Sequence, residues 1–119
     1  MTSSLSILVL EDNQDLLDLV CKALSHLGHQ PHPANSAKDG MRLLDTVRFD
    51  VLLADINLPG MLGSDFARLA IKKIPDIRVI FTSGFGYLIT EDLHDKVKLI
   101  PKPYTINQLK DALEETRLD

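Results

Sequence analysis

Short apolar runs alternate with amphipathic stretches along the chain, and this alternation predicts a layered α/β fold. Nearly uniform apolar runs are typical of strands that are buried on both faces of a parallel sheet. A further strand is predicted over residues 29–34, where Pro31 and Pro33 would each remove a ladder donor and therefore favour a sheet edge. The apolar runs that predict the other strands are 6–10, 51–54, 77–81 and 97–100.

The amphipathic stretches between these strands carry apolar residues at helical spacing. Gly28 follows the first stretch, Ser36 with Asp39 and Thr105 with Gln108 form capping boxes, and Pro75 closes the third stretch. Residues 85–96 predict at most a short helix around residues 91–95. The apolar stripes are Leu16, Leu17, Val20, Ala23, Leu24 and Leu27, then Met41, Leu44 and Val47, then Phe66, Leu69, Ala70 and Ile74, and finally Ile106, Leu109, Ala112 and Leu113.

Five strands that alternate with helices predict a doubly wound, five-stranded parallel sheet in the flavodoxin-like order 2-1-3-4-5. The second strand is an edge in that order, which is where Pro31 and Pro33 can be accommodated. The fourth helix is predicted to be short or irregular. No internal repeat or linker interrupts the pattern, so residues 1–119 are predicted to form a single domain.

Composition narrows the possible functions of this domain. The chain has 119 residues, of which 45% are hydrophobic and 25% charged, the usual mix of a globular domain. Its net charge is −4 and it has no basic stretch, so we expect no contact with nucleic acid. We find no apolar run of roughly 20 residues and no signal peptide, and Cys21 has no partner for a disulfide. We therefore expect a cytoplasmic domain that makes no membrane contact by itself.

Acidic residues follow two strands that would be neighbours in the predicted sheet. Strand one ends at Glu11 and Asp12, and strand three ends at Asp55. The carboxyl ends of these strands meet where the strand order reverses, so three carboxylates should converge there. Two carboxylates about 5 Å apart repel by roughly 3 kcal/mol at an effective dielectric near 20. Protons or a cation must compensate this repulsion, and an all-oxygen site with room for water suits Mg²⁺.

A hydroxyl group and an ammonium group are expected at the same edge of the sheet. Ser83 follows the fourth strand and Lys102 the fifth, with Thr82 as an alternative to Ser83 because it is adjacent. A carboxylate nucleophile, a divalent ion, a lysine and a hydroxyl donor are the parts needed to take up a phosphoryl group. The sequence therefore predicts phosphoryl chemistry on Asp55.

Four motifs, each at a strand end, together resemble the response regulator receiver domain of two-component signalling. The resemblance extends from Ser6 to the last helix. It implies that Asp55 accepts the phosphoryl group and that the chain acts as a signalling switch in a phosphorelay. The motifs are Glu11-Asp12, Asp55-Ile56-Asn57-Leu58-Pro59-Gly60, Thr82-Ser83-Gly84 and Lys102-Pro103.

The resemblance also implies a role for each residue around the phospho-acceptor. Asp12 and Asp55 would bind Mg²⁺ directly, Glu11 would act mainly through water, and Asn57 would contribute its backbone carbonyl. Ser83 would hydrogen-bond the phosphoryl group and shift on phosphorylation, and Lys102 would pair with that group. The Lys102–Pro103 peptide bond is commonly cis in this family.

The partners follow from the same resemblance. The donor would be a phosphohistidine on a sensor histidine kinase or on a histidine phosphotransfer protein. The output would be a changed surface that an unknown downstream protein target recognises. The domain would catalyse only its own phosphorylation and dephosphorylation, so we do not expect an enzyme that releases a product. We expect either a stand-alone receiver domain or a piece of a longer hybrid kinase or regulator.

Some positions depart from the family pattern and leave alternatives open. Leu99 stands where receivers often carry an aromatic, Pro101 is uncommon before the lysine, and the stretch from Ser83 to Lys102 is short. These departures keep open a pseudo-receiver that acts by constitutive protein contact. An aspartyl-phosphate phosphatase would need an acid two residues after its nucleophile, where this chain has Asn57. A nucleotide or flavin binder would need a glycine-rich or hydroxyl-rich loop after the first strand, where this chain has acidic residues.

Overall fold

The computed structural model describes residues 4–84 and 97–117. The predicted short helix around residues 91–95, and with it the short or irregular fourth helix, lies outside this range. The strands are β1 (Ser6–Leu10), β2 (Gln30–Ala34), β3 (Val51–Asp55), β4 (Asn57–Leu58), β5 (Met61–Leu62), β6 (Arg78–Ser83) and β7 (Val97–Pro101). The helices are α1 (Gln14–His26), α2 (Ala37–Thr46), α3 (Gly63–Lys73) and α4 (Ile106–Arg117).

The main sheet has five parallel strands in the order β2-β1-β3-β6-β7. This confirms the predicted flavodoxin-like order and places β2 at an edge. The Gln30 N–H donates to the Leu5 carbonyl at 2.8 Å, so it faces β1. Because N–H directions alternate along a strand, the nitrogens of Pro31 and Pro33 face away from β1 and cost the ladder no hydrogen bond.

The sheet separates two hydrophobic clusters, because successive side chains of a strand point to opposite faces. Leu52 and Ala54 of β3 lie in one cluster, and Val51 and Leu53 lie in the other. Helices α2 and α3 cover the first cluster with residues such as Leu44 and Phe66. Helices α1 and α4 cover the second with Leu17, Val20, Leu24, Leu109 and Leu113. Both faces are therefore buried, as the uniformly apolar strands predict.

Polar side chains and a glycine fix the helix ends. Asn13 caps α1 by accepting a hydrogen bond from the Leu16 N–H at 3.1 Å. Thr105 and Gln108 form the predicted reciprocal capping box before α4, with distances of 2.7 and 3.1 Å. Ser36 accepts from the Asp39 N–H, which confirms the predicted start of α2. Gly28 follows α1 with φ +92°, a conformation that glycine adopts without strain.

A short ribbon after β3 is the main local feature that the sequence pattern did not predict. Strands β4 and β5 pair antiparallel, with Asn57 opposite Leu62 and Leu58 opposite Met61. Pro59 and Gly60 connect them, and Gly60 has φ +79°, as expected for the third residue of a type II turn. The ribbon therefore reverses the chain after β4 and delivers it to the start of α3.

Two residues of the predicted helical stripes are exposed in the structure, Leu69 of α3 and Ile106 at the start of α4. Leu69 of α3 is 37% exposed, whereas Phe66 and Ala70 of the same stripe are fully buried. Leu69 therefore lies at the margin of the buried face of α3. Among the described residues, no helix has the length and apolar character needed to cross a bilayer.

Candidate functional site

Three carboxylates converge at the carboxyl ends of β1 and β3. Leu10 and Ala54 are paired in the sheet, so Glu11, Asp12 and Asp55 follow directly at the same edge. One carboxylate oxygen from each of the three lies within 4.8 Å of the others. Glu11 and Asp55 are buried and Asp12 is exposed. The predicted acidic cluster is thus formed, with one of its members facing solvent.

The ammonium group of Lys102 lies between the two buried carboxylates. Its Nζ is 2.7 Å from Oε1 of Glu11 and 2.9 Å from Oδ2 of Asp55. The backbone of Lys102 is held as well, because its N–H donates to the Ser83 carbonyl at 2.7 Å. The following Lys102–Pro103 peptide bond is cis. The structure therefore brings the predicted lysine into direct contact with the predicted phospho-acceptor.

Electrostatics keep this lysine charged. Burial alone lowers the pKa of Lys102, but hydrogen bonds and charge interactions with Glu11 and Asp55 outweigh burial and raise the pKa above its ordinary value. A permanent ammonium group therefore offsets part of the repulsion within the acidic cluster. A charge-assisted bond of this kind is about twice as strong as a neutral one.

The remaining carboxylate oxygens have different surroundings. Oδ1 of Asp55 accepts a hydrogen bond from the Asn57 N–H at 2.9 Å. Oε2 of Glu11 accepts one from the Asn13 N–H at 3.1 Å, so both oxygens of Glu11 are engaged. Within residues 4–84 and 97–117, no hydrogen bond or ion pair involves the Asp12 carboxylate. Asp12 is thus the carboxylate most available to an incoming ligand.

Two buried hydroxyl residues lie at the end of β6. Thr82 pairs with Asp55 in the register of β3 and β6, and its carbonyl accepts the Ile56 N–H at 3.0 Å. Ser83 lies one residue further and is only 1% exposed, opposite Pro101 on β7. Both residues therefore lie at the site edge of the sheet, and Ser83 as the hydroxyl donor stays a prediction beside Thr82.

Tyr104 belongs to the surroundings of the site, although the motifs did not point to it. It packs against the cluster that contains Leu17 and Val20, and it lines a groove of about 850 Å³ between α1 and α4 together with Lys102. Burial raises the pKa of Tyr104 to about 12; the Lys102 charge opposes this, and the Glu11 and Asp55 charges add to it. The sequence signal for Tyr104 as a neighbour of the site was its position two residues after Lys102.

Known proteins share this fold and sequence pattern. A sequence profile of the response regulator receiver domain matches residues 7–114. The chain is a receiver domain of the response regulator family. The response regulator receiver protein CpdR of Brucella abortus (strain 2308) is 33% identical over 113 residues, which cover 92% of this chain and 93% of that protein.

Two further comparisons extend the picture of this receiver domain. The sensor kinase CckA of the same organism is 26% identical over 97% of this chain, but the chain spans only 13% of that kinase. A crystal structure of a response regulator receiver domain protein from Clostridium thermocellum has a TM-score of 0.85 and 26% identity. It is matched over 94% of this chain and 93% of that one. Among these relatives, the region similar to this chain makes up nearly the whole of one protein and a small part of a kinase.

The donor set of this receiver domain fits a magnesium ion. Receiver domains generally bind Mg²⁺ at an acidic pocket, and here the candidate ligands are carboxylate oxygens of Glu11, Asp12 and Asp55. Mg²⁺ prefers oxygen ligands and retains several waters, which suits a site with one solvent-facing carboxylate. The cluster contains no thiol or imidazole that would favour a softer metal.

Proposed function

We propose that this receiver domain is a phosphoryl-accepting switch of a two-component phosphorelay, with Asp55 as the acceptor. The observation that carries the proposal is the contact between the Lys102 ammonium group and the buried Asp55 carboxylate, beside two further carboxylates. An ion pair that serves only stability is neutral when one carboxylate meets one lysine. Here three carboxylates surround one lysine, and a divalent ion would offset the excess negative charge.

The geometry suits Asp55 as the nucleophile of the transfer. Its two carboxylate oxygens are oriented by the Asn57 N–H and by Lys102. One oxygen would attack the phosphorus of a phosphohistidine, forming a P–O bond as the P–N bond breaks. The imidazole nitrogen leaves with the bonding electron pair and takes up a proton from solvent. Lys102 would remain hydrogen-bonded to the anionic oxygens as they reach the site.

Magnesium would be held by Asp12 and Asp55, with Glu11 acting mainly through water and Asn57 through its backbone carbonyl. When bound, Mg²⁺ neutralises negative charge on the transferring oxygens. The observed contacts support this division, because both oxygens of Glu11 already accept hydrogen bonds from Lys102 and Asn13. Asp12 is exposed and has no such contact among the described residues.

The partners of the proposed switch are proteins. A phosphohistidine on a sensor histidine kinase or a histidine phosphotransfer protein would supply the phosphoryl group. The product would be a changed surface that a downstream protein reads, and the domain would catalyse only its own phosphorylation and dephosphorylation. A cytoplasmic location is part of the same proposal, since the donors of two-component signalling act there.

The test is phosphorylation by a small donor. We expect the wild-type chain to gain the mass of one phosphoryl group when it is incubated with Mg²⁺ and acetyl phosphate. Asp55→Asn should gain none, because an amide is not a nucleophile of comparable strength. Intact-protein mass spectrometry measures both outcomes.

A matched control lies at the other end of the same strand. Asp50 precedes β3, is exposed, and accepts a hydrogen bond from the Ser6 N–H through Oδ2. An Asp50→Asn variant keeps this acceptor and should be phosphorylated like the wild type. Equal mass gain in Asp55→Asn would exclude Asp55 as the acceptor. No mass gain in the wild type would exclude the proposal and favour a pseudo-receiver that acts by constitutive contact.

A further inference from the structure

The N-terminus of α3 lies directly against the backbone of the proposed phospho-acceptor. The Gly63 N–H donates to the Ile56 carbonyl at 2.8 Å. The preceding residue, Leu62, provides no side-chain cap, so this bond satisfies one of the free N–H groups of the helix start. After Asp55 the chain runs through the β4–β5 ribbon, and Gly63 at its end returns to contact Ile56.

This contact leaves no room for a side chain at residue 63. A Cβ atom there would lie 2.6 Å from the Asp55 carbonyl oxygen, 2.7 Å from the Ile56 Cα and 3.2 Å from the Ile56 carbonyl oxygen. All three atoms belong to the backbone, so no rotamer change relieves the overlap. Cβ atoms essentially never approach other heavy atoms within 3.0 Å, so the backbone itself must shift.

The opposite side of the same peptide is fixed by β6. The Ile56 N–H donates to the Thr82 carbonyl at 3.0 Å, and Asp55 pairs with Thr82 in the sheet. A side chain at residue 63 would therefore push the Asp55–Ile56 peptide towards β6 or push α3 away. A displacement of a few tenths of an ångström is enough to alter the 2.9 Å contact between Asp55 and Lys102.

We propose that Gly63 is a positioning residue for phosphoryl transfer: its missing side chain lets α3 and β6 clamp the Asp55–Ile56 peptide so that the Asp55 carboxylate faces Lys102. This inference rests on the proposed function of Asp55. Gly63 would affect the rate of phosphorylation of Asp55 as well as folding, although it carries no group that touches the phosphoryl donor.

Gly40 provides a matched control on the same side of the sheet. A Cβ at Gly40 would lie 2.8 Å from the Cζ atom of the Phe66 ring and 3.3 Å from Cδ1 of Leu10. Its closest contacts are therefore side chains of the hydrophobic core, and none belongs to the acidic site. We therefore expect Gly40→Ala to strain the packing between α2 and α3 without a direct clash with the Asp55 backbone.

The experiment compares Gly63→Ala, Gly40→Ala and the wild type in 1 M sucrose, which favours compact states. Circular dichroism first establishes that each variant is folded at the assay temperature. We then measure the initial rate of phosphorylation by acetyl phosphate and the Mg²⁺ dissociation constant by titration. We expect Gly63→Ala to lose about tenfold or more in rate and to bind Mg²⁺ more weakly, because small misplacements of reacting groups are costly. Gly40→Ala should stay within about twofold of the wild type.

Each outcome decides the inference. Equal rates and Mg²⁺ affinities in folded Gly63→Ala and the wild type would overturn it. A Gly63→Ala variant that does not fold in sucrose, while Gly40→Ala does, would also overturn it, because Gly63 would then be a requirement for folding with no separate effect on the rate. Failure of the wild type itself to gain a phosphoryl group would instead refute the proposed function, and the two failures are thus distinguishable.

Discussion

The ammonium group of Lys102 contacts the carboxylate of Asp55 at 2.9 Å although 47 positions separate the two residues in sequence. Lys102 follows β7 and Asp55 ends β3, and β6 lies between these strands in the sheet. The contact therefore depends on the whole carboxyl edge of the sheet being assembled in the correct order. It is a sensitive reporter of both the fold and the site.

Removal of this ammonium group should destabilise the domain. We expect Lys102→Met to lose about 2 kcal/mol of unfolding free energy without metal, because two buried carboxylates lose their counter-charge. Mg²⁺ should then raise the melting temperature more in the variant than in the wild type, since the ion replaces the missing charge. Thermal unfolding with and without Mg²⁺ measures both effects.

A surface lysine provides the control for this substitution. Lys98 pairs with Glu115, and both side chains are about half exposed. Lys98→Met should change stability by less than about 1 kcal/mol, as is usual for exposed pairs. A similar loss in both variants, or an identical response to Mg²⁺, would contradict the special role of Lys102.

Tyr104 should give the domain an alkaline stability limit. Its pKa is raised by burial to about 12, above the ordinary value of 10.0. Between these two values the folded state keeps the phenol proton and the unfolded state releases it. The contribution of Tyr104 to the free energy of unfolding is therefore fully present below pH 10.0 and is lost as the pH rises towards 12. Tyrosinate absorbance during an alkaline titration of the wild type and of Tyr104→Phe isolates this group.

The absorbance of Tyr104 can be distinguished from that of the other tyrosine, because the chain has only two. Tyr104→Phe should remove the late absorbance step and leave only the signal of Tyr87. A Tyr104 step near the ordinary value would show that solvent reaches the phenol in the folded domain. Chemical denaturation at pH 9 and 11 provides the parallel stability measurement.

The choice between Ser83 and Thr82 is open to a paired substitution. We expect Ser83→Ala to slow phosphorylation by roughly tenfold or more, because loss of one hydrogen-bond donor to a developing anion typically costs at least that much. Thr82→Val, which keeps the shape of a buried residue, should have an effect below about threefold. The reverse order of effects in an acetyl phosphate assay would assign the hydroxyl donor to Thr82.

The two hydrophobic residues Phe66 and Leu69 of α3 should differ in their contribution to stability. Phe66 is fully buried, so Phe66→Ala should cost about 3–5 kcal/mol. Leu69 is 37% exposed, and Leu69→Ala should cost about 1 kcal/mol or less. Urea unfolding curves give both values, and equal losses would mean that a neighbouring surface covers Leu69 in solution.

The sheet could be predicted from sequence because each strand has a pattern that sterics and burial enforce. The uniformly apolar runs give two buried faces, and Pro31 and Pro33 identify β2 as an edge. The site followed from the sheet, because a carboxyl edge brings together whatever residues end the strands. The convergence of Glu11, Asp12 and Asp55 was therefore predictable before any coordinate was known.

Features that depend on atomic packing could not be predicted in the same way. The exposure of Leu69 depends on how the surrounding residues pack against α3, which the apolar pattern of α3 alone does not record. A two-residue strand such as β4 is too short to show a periodic pattern of apolar residues. The contact of Gly63 with the Asp55 carbonyl arises from the path of the β4–β5 ribbon in three dimensions. The partial burial of Tyr104 likewise depends on the spacing between α1 and α4.

The pairing of Lys102 with Glu11 and Asp55 has a consequence for biosynthesis. We expect Lys102 to act as the counter-ion of these acids in the newly made chain, so that the domain can fold before a metal ion binds. Folding would then not depend on the magnesium supply of the cell. Under the proposed function, the ion would be needed for phosphoryl transfer and not for folding.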